Sequence, residues 1–189
     1  MRYLFLCIVI LSILTSGCNG YGYKISDKSI SLTTMNTIIK DSISQQISSL
    51  QHISLDIKGV INSTNDSAKQ IYYLGKISTA PQQVKDFTYI EQLEVRDGEK
   101  TSGMTISIAK TMSKAKDVVT KLELFANKSS NISDRDLQIL SAIAEKLDLF
   151  SSEINQILED QQFSLVNDYD LSPSDKILNE MDQLLSTVD

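Results

Sequence analysis

One apolar stripe runs through residues 33–61 at steps of three and four positions. That spacing is typical of a single face of an α-helix, and a stripe of this length must be buried. The polar side of the segment is not strongly basic, as it would be in a membrane-surface helix, because Lys40 and Lys58 are offset by two aspartates. We therefore expect a core helix with these buried positions: Met35, Ile39, Ile43, Ile47, Leu50, Ile53, Ile57 and Val60.

The same periodicity returns further along the chain. Seven glycines and two prolines in 189 residues leave few points at which a helix would break. The pattern predicts long helices over about 102–127 and about 133–161, with Ser133 and Asp136 as a capping pair for the second. The inward positions of the first are Ile108, Met112, Ala115, Val119, Leu122 and Ala126, and those of the second are Leu137, Leu140, Ala144, Leu147, Ile154 and Leu158.

Two shorter helices complete this pattern. Residues 62–66 form a polar break full of capping residues, and a short helix is expected over 67–78. Ser172 and Pro173 predict a cap followed by proline at the first position of a last short helix. In the first of these helices, the residues expected to face inward are Ala68, Ile71, Tyr72 and Gly75.

The segment over residues 82–108 fits two structures. Alternation over 87–95 and 104–108, with a turn-like Arg96-Asp97-Gly98-Glu99 between, is typical of a β-hairpin within 87–108. A helix that starts at Pro81 also fits, with Val84, Phe87, Ile90 and Leu93 on one face. An isolated hairpin is marginal in water unless it packs on something, so we favour a helix over 82–96.

These segments predict an all-α protein. Three long and two or three shorter amphipathic helices, joined by polar loops, are typical of an antiparallel helical bundle. The expected organisation is a signal peptide over 1–17, a lipidated N-terminus with a flexible spacer over 18–31, and a single bundle domain over 32–189.

The first residues have the features of an export signal. Arg2 precedes an apolar run from Tyr3 to Leu14, which ends at the small residues Thr15-Ser16-Gly17. A transmembrane helix needs roughly 20 apolar residues, so this shorter run is expected to be removed and not to act as an anchor.

The junction Thr15-Ser16-Gly17-Cys18 resembles the lipobox of bacterial lipoproteins. The resemblance implies cleavage before Cys18, acylation of its sulfur with palmitate or a related chain, and anchoring in the cell membrane or outer membrane. It departs from the motif at Thr15, where Leu, Val or Ile is usual. Asn19, in place of the aspartate that retains lipoproteins at the inner membrane, would favour the outer membrane. The alternative is an ordinary secretory peptide cleaved near Gly17 or Gly20.

Cysteine content agrees with modification at the new N-terminus. Cys7 lies inside the signal, so the mature chain would keep Cys18 and no partner for a disulfide. Stable anchoring takes more than one lipid chain, which the diacylglyceryl group of a lipoprotein provides.

Charge is unevenly distributed along the chain. The net charge is −6, but residues 145–189 hold eleven acids and two lysines, a net −9. This balance argues against nucleic-acid binding, which needs a positive surface. The acidic region is expected to be a solvated face, with docking of a basic partner as the alternative.

The sequence contains few candidates for catalytic or metal-binding residues. His52 is the single histidine, so neither a zinc set nor a Ser-His triad is expected. Asn167-Asp168-Tyr169-Asp170, with Ser172 and Asp175, gathers oxygen ligands but lacks the glycine and distant glutamate of an EF-hand, and a turn with a helix cap explains it better. Glycan acceptor triplets, relevant only to a eukaryotic secreted protein, begin at Asn62, Asn65, Asn127 and Asn131.

We therefore expect a protein without catalytic activity or cofactor. Its expected role is that of a lipid-anchored binding or assembly protein in the bacterial envelope or at the cell surface, with a protein partner. That partner would contact the acidic C-terminal region or residues 82–108. The alternative is a secreted helical module that binds a small apolar ligand. A binding or assembly protein requires an exposed apolar or acidic patch and a filled core. A module for a small apolar ligand requires an internal cavity of several hundred Å3.

Overall fold

The structure is a computed structural model that describes residues 32–88, 92–97, 100–128, 132–164 and 167–187. Over these ranges the predicted all-α bundle is confirmed, with three long helices and two short ones. They are α1 (Leu32–Asn62), α2 (Ser67–Ser78), α3 (Ser107–Lys128), α4 (Asp134–Glu159) and α5 (Ser172–Ser186). None of these described helices has the length and apolar character needed to cross a bilayer. The predicted signal peptide and spacer over 1–31 lie outside the described residues.

The five helices pack as a closed ring in the order α1, α4, α5, α3, α2 and back to α1. α1 and α4 are antiparallel, because Asn36 bonds to Ser164 near one end and Ser54 to the carbonyl of Ala144 towards the other. A ring with an odd number of members cannot alternate in direction all the way round. The predicted antiparallel bundle therefore contains one parallel neighbouring pair, which is α3 with α5.

Ion pairs along α3 and α5 show their common direction. Lys114 pairs with Asp175 at 3.0 Å, and Lys121 pairs with Asp182. On both helices the second partner comes seven residues after the first, and such equal spacing in the same order is found only when two helices run the same way.

The predicted stripes form the core. On α1, every described member of the stripe is buried: Ile39, Ile43, Ile47, Leu50, Ile53, Ile57 and Val60. All six predicted positions of α3 are buried, and so are the predicted positions of α4 except Leu137, which is half-buried. Each fully buried Ile or Leu contributes roughly 2 kcal/mol relative to exposure. Burial of these stripes is therefore the main source of stability.

Two buried polar side chains tie α1 to α4 and, across the ring, to α3. Ser54 Oγ donates to the carbonyl of Ala144 on α4 at 3.1 Å, and Gln46 Nε2 donates to the carbonyl of Met112 on α3 at 3.1 Å. A buried polar group left unpaired costs more than its bond contributes, so these two bonds favour one register of α1 over the others.

The favoured helix over 82–96 is wrong. The chain forms a short 3-10 turn over Ala80–Gln82, and residues 92–97 and 100–105 pair as the strands of the alternative β-hairpin. Its strands β1 (Gln92–Asp97) and β2 (Lys100–Thr105) are antiparallel, with Gln92 opposite Thr105 and Asp97 opposite Lys100. The helical spacing of Val84 and Phe87 has another cause, since both side chains are buried in the bundle from an irregular segment. Accordingly α3 begins at Ser107 and not near 102.

Helix starts follow local capping chemistry. Ser133 and Asp136 form the predicted capping box at α4, and Asp66 caps α2 by accepting from the backbone N–H of Lys69 at 3.1 Å. Ser172 was predicted as the cap of α5, but it is the first residue of that helix, and the N-cap is Leu171. The Asp170 carboxylate accepts the N–H of Ser172 at 3.0 Å.

Candidate partner-binding surface

The inward face predicted for α2 is wrong, and the residues concerned form an exposed apolar surface. Ile71 is 68% exposed and Tyr72 61% exposed, and Ala68 and Gly75 are also exposed. Positions 68, 71, 72 and 75 follow the spacing of one helix face. We call these four residues the α2 outer face. The buried side of α2 consists instead of Leu74 and Ile77, with Tyr73 half-buried beside them.

Contacts with α1 set the rotation of α2. A Cβ atom at Gly59 would lie 2.6 Å from two ring carbons of Tyr73, so the ring rests directly on the glycine backbone. One turn after Tyr73 on α2, Lys76 forms an ion pair with Asp56, which lies one turn before Gly59 on α1. With Tyr73 and Lys76 turned towards α1, Leu74 and Ile77 enter the core and the α2 outer face is directed to solvent.

The rim of the α2 outer face is aromatic and basic. The rings of Tyr72 and Tyr73 meet edge to face, with centroids 5.3 Å apart and planes at 69°. Lys76 Nζ lies 5.8 Å from the centroid of each ring. Its hydrogen bond to Asp56 raises the pKa of the Lys76 ammonium above its usual value, so this charge is firmly held. Lys69 is the other charged residue of α2, and its side chain is 71% exposed.

The α2 outer face has the chemistry of a contact surface. It offers an aliphatic side chain, an aromatic ring already in contact with a second ring, and two small residues. Large aromatic side chains provide much contact area with few rotatable bonds, which is why they are frequent at the centres of interfaces. None of its four residues is a carboxylate, thiol or imidazole, so nothing in the surface itself points to catalysis.

A polar depression lies beside the start of α3. It has a volume of about 290 Å3 and is lined by Lys110, Ser113, Lys114, Lys116 and Asp117, with Asp86 and Thr88 opposite. Asp86 accepts from the backbone N–H of Thr88 at 2.9 Å and from its hydroxyl at 2.7 Å, and these bonds lower the pKa of the Asp86 carboxyl. The depression is open, and opposite charges lie together in it, so it does not have the character of a site for an apolar ligand.

The acidic C-terminal region is balanced in part by lysines elsewhere. Lys58 on α1 pairs with Asp148 at 2.6 Å, and the two lysines of α3 described above pair with Asp175 and Asp182. Within the region itself, Lys146 pairs with Glu180. Three of the eleven acids of the region are thus paired with lysines of α1 and α3.

The remaining sequence candidates are separate from the α2 outer face or outside the described residues. Cys18 lies outside the described residues, while His52 is exposed on α1. Among the residues that the structure describes, no group of three or more His, Cys, Asp and Glu side chains could hold a metal ion. In the loop before α5, the Asp170 carboxylate accepts from Ser172. In the first turn of α5, the Asp175 carboxylate accepts from the hydroxyl of Thr111 at 3.2 Å and pairs with Lys114. Asn62, Asn65 and Asn127 are exposed, and Asn131 is not among the described residues.

Sequence reasoning missed the α2 outer face because α2 has two apolar sides. Ala68, Ile71, Tyr72 and Gly75 fit an inward stripe as well as Tyr73, Leu74 and Ile77 do. Gly59 could have distinguished them, since a glycine inside a long helix allows the close approach of a neighbouring side chain.

Comparison of the chain with protein-family models, with curated proteins and with solved structures finds no match.

Proposed function

We propose that the protein is an exported, lipid-anchored binding or assembly protein of the bacterial envelope or cell surface, without catalytic activity. Binding of a protein partner is supported by the α2 outer face, an exposed apolar and aromatic surface on a bundle whose other predicted apolar stripes are buried in the core. Export and anchoring are supported by the apolar run over residues 3–14 and by the lipobox-like Thr15-Ser16-Gly17-Cys18.

The alternative function, enclosure of a small apolar ligand, has less support. Such a ligand needs an apolar pocket that covers most of its surface. The side chains directed into the ring are buried against one another, and the depression beside α3 is open and charged. These features favour contact at the surface over enclosure in the interior.

The proposed anchor precedes α1 in the sequence, whereas the α2 outer face lies beside the C-terminal part of α1. Residues 19–31 join Cys18 to Leu32, where α1 begins. A helix of 31 residues is about 46 Å long at 1.5 Å per residue. α2 packs against the C-terminal part of α1, where Asp56 and Gly59 meet Lys76 and Tyr73. An anchor at Cys18 would therefore leave the binding surface accessible to a partner.

Metabolic labelling tests the anchor. Cells that express the complete chain or its Cys18→Ala variant are grown with a palmitate analogue, and the label on the protein is measured. We expect strong labelling of the wild type and loss of the label in the variant, with retention of the uncleaved signal. Equal labelling of both would overturn the anchor.

Photocrosslinking in intact cells tests the binding surface. A photoreactive amino acid at Tyr72 should give a crosslinked protein adduct, and the same amino acid at Leu149 serves as control. Leu149 is a similarly exposed apolar residue, 49% exposed, on α4. An adduct of equal yield from both positions would show nonspecific contact and would overturn the assignment of the surface.

A further inference from the structure

We infer that the α2 outer face binds one amphipathic helix of a protein partner, with an apolar seam on the α2 outer face and acidic residues beside Lys69 and Lys76. This inference rests on the proposed binding function and specifies the chemistry of the partner. It is carried by the shape, the size and the charge of the surface.

The shape of the surface suits a second helix. Ile71 and Tyr72 project between two small residues, Ala68 one turn before and Gly75 one turn after. A Cβ atom built at Gly75 meets nothing within 4 Å, so the backbone there is open to close approach. Helices that bind in grooves use anchors at i, i+3, i+4 and i+7, and small residues beside large ones allow the two helices to interdigitate. The α2 outer face presents this pattern towards solvent.

The size of the surface argues for one helix of a partner and against a second copy of this chain. α2 has 12 residues and is about 18 Å long. Its two large exposed side chains and two small ones offer on the order of 300 Å2. A stable complex between two proteins buries about 800 Å2 on each partner. Two α2 outer faces alone would therefore make a weak dimer, whereas a partner helix that also contacts the surrounding rim could bury more area.

The charge of the surface selects an acidic partner helix. Lys69 precedes Tyr72 by three residues and Lys76 follows it by four, so both lie along the Tyr72 edge of the surface. α2 contains two lysines and no acid. Lys69 pairs with Asp66 and Lys76 with Asp56, and 71% of the Lys69 side chain and 43% of the Lys76 side chain remain accessible. Acidic residues on the partner would meet this edge.

The test uses the complete chain in its host, with a photoreactive amino acid placed singly at positions 68, 71 and 72, and identifies the crosslinked peptides by mass spectrometry. We expect the three positions to crosslink to one partner segment, at partner residues three and four apart. Gly75→Gln should lower the yield from position 72 at least fivefold, because the added side chain blocks close approach while open space leaves the fold intact.

The charge component has a matched control. Lys69→Gln should lower the crosslinking yield at least threefold, and unlike Lys76 this residue pairs with Asp66 and not with α1. Lys58→Gln, which removes an exposed lysine paired with Asp148 away from α2, should leave it unchanged. An equal loss in both variants, or no loss in either, would overturn the acidic edge of the proposal.

Some outcomes would contradict the partner helix alone, and others would also contradict the proposed function. Partner residues two apart would indicate an extended strand and contradict the helix, although a binding protein would remain. Adducts with phospholipid or with a second copy of this chain would contradict both the partner helix and the protein partner of the proposed function. Absence of any adduct from all three positions would overturn the surface itself. The palmitate label at Cys18 reports on the anchor independently of these results.

Discussion

At the scale of single residues, two glycines that look alike in the sequence have opposite surroundings. Gly59 supports the ring of Tyr73, whereas Gly75 faces open space on the α2 outer face. Both lie inside helices, where alanine is intrinsically preferred by roughly 1 kcal/mol. The difference between them is therefore one of packing and can be measured directly.

Replacement of each glycine by alanine should change stability in opposite directions. Gly75→Ala should raise the free energy of unfolding by about 0.5–1 kcal/mol, because helix propensity improves and nothing is displaced. Gly59→Ala should lower it by about 1–2 kcal/mol, because displacing the Tyr73 ring costs more than the gain in propensity. Urea unfolding followed by circular dichroism measures both. Stabilisation by Gly59→Ala would show that the ring moves freely and does not fix the rotation of α2.

A second matched pair concerns buried hydroxyl groups. Ser54 Oγ bonds to the carbonyl of Ala144, whereas the buried Oγ of Ser151, among the described residues, has no hydrogen-bond partner. Ser54→Ala should cost about 1 kcal/mol, and Ser151→Ala should be neutral or stabilising because it removes an unsatisfied polar group. Thermal and urea unfolding of the two variants should rank them in this order, and equal losses would contradict the structure.

At the scale of helices and strands, the sequence predicted those elements whose apolar pattern allows one solution. α1 has one apolar stripe and α4 has a capping box, and both predictions were confirmed. α2 and residues 82–96 each carry a pattern with two solutions, and the choice depended on distant residues. For α2 the deciding contact is Gly59 with Tyr73, and for Val84 and Phe87 it is the space inside the ring that their side chains fill. Neither contact can be read from local periodicity, so the apolar pattern of α2 alone did not predict the candidate surface.

Removal of the α4 capping box tests one of these elements. Ser133 Oγ accepts the N–H of Asp136 at 3.2 Å, and the Asp136 carboxylate accepts the N–H of Ser133 at 2.8 Å. Ser133→Ala should lower the free energy of unfolding by about 1 kcal/mol. Ser141→Ala, at an exposed position inside the same helix, is the control and should be neutral or slightly stabilising. Similar losses in both variants would show that the cap contributes nothing specific.

At the scale of the whole molecule, the parallel pair of helices in the ring accounts for part of the charge distribution of the chain. A five-membered ring must contain one parallel pair of helices. Here α3 supplies Lys114 and Lys121, and α5 supplies Asp175 and Asp182 at the same seven-residue interval. Each exposed pair contributes at most about 1 kcal/mol, so the contribution lies more in alignment than in stability. The lysines of α3 and the acids of α5 are therefore placed to pair along the two parallel helices.

The loss of stability at acid pH should depend on the ion pair between Lys146 and Glu180. The hydrogen bond from Lys146 lowers the pKa of the Glu180 carboxyl from its ordinary 4.5. Because the folded-state pKa is the lower one, the stabilising contribution is complete above pH 4.5 and is lost as the pH falls through the folded-state value. Glu180→Gln and Lys146→Gln should each flatten the decline of unfolding free energy below pH 4.5. Urea titrations across this pH range measure the unfolding free energy. If both variants kept the wild-type dependence on pH, the stabilising role of the ion pair would be contradicted.

The length of α1 determines how the protein would respond to pulling. With an anchor before Leu32 and a partner held on α2, tension would enter at one end of α1 and leave near Gly59 at the other. Between these two points the load would be carried along α1 itself and across its contacts with α2, where Tyr73 rests on Gly59 and Lys76 pairs with Asp56. The backbone hydrogen bonds of α1 would have to stretch before the bundle opened, a mechanical resistance that equilibrium unfolding does not reveal.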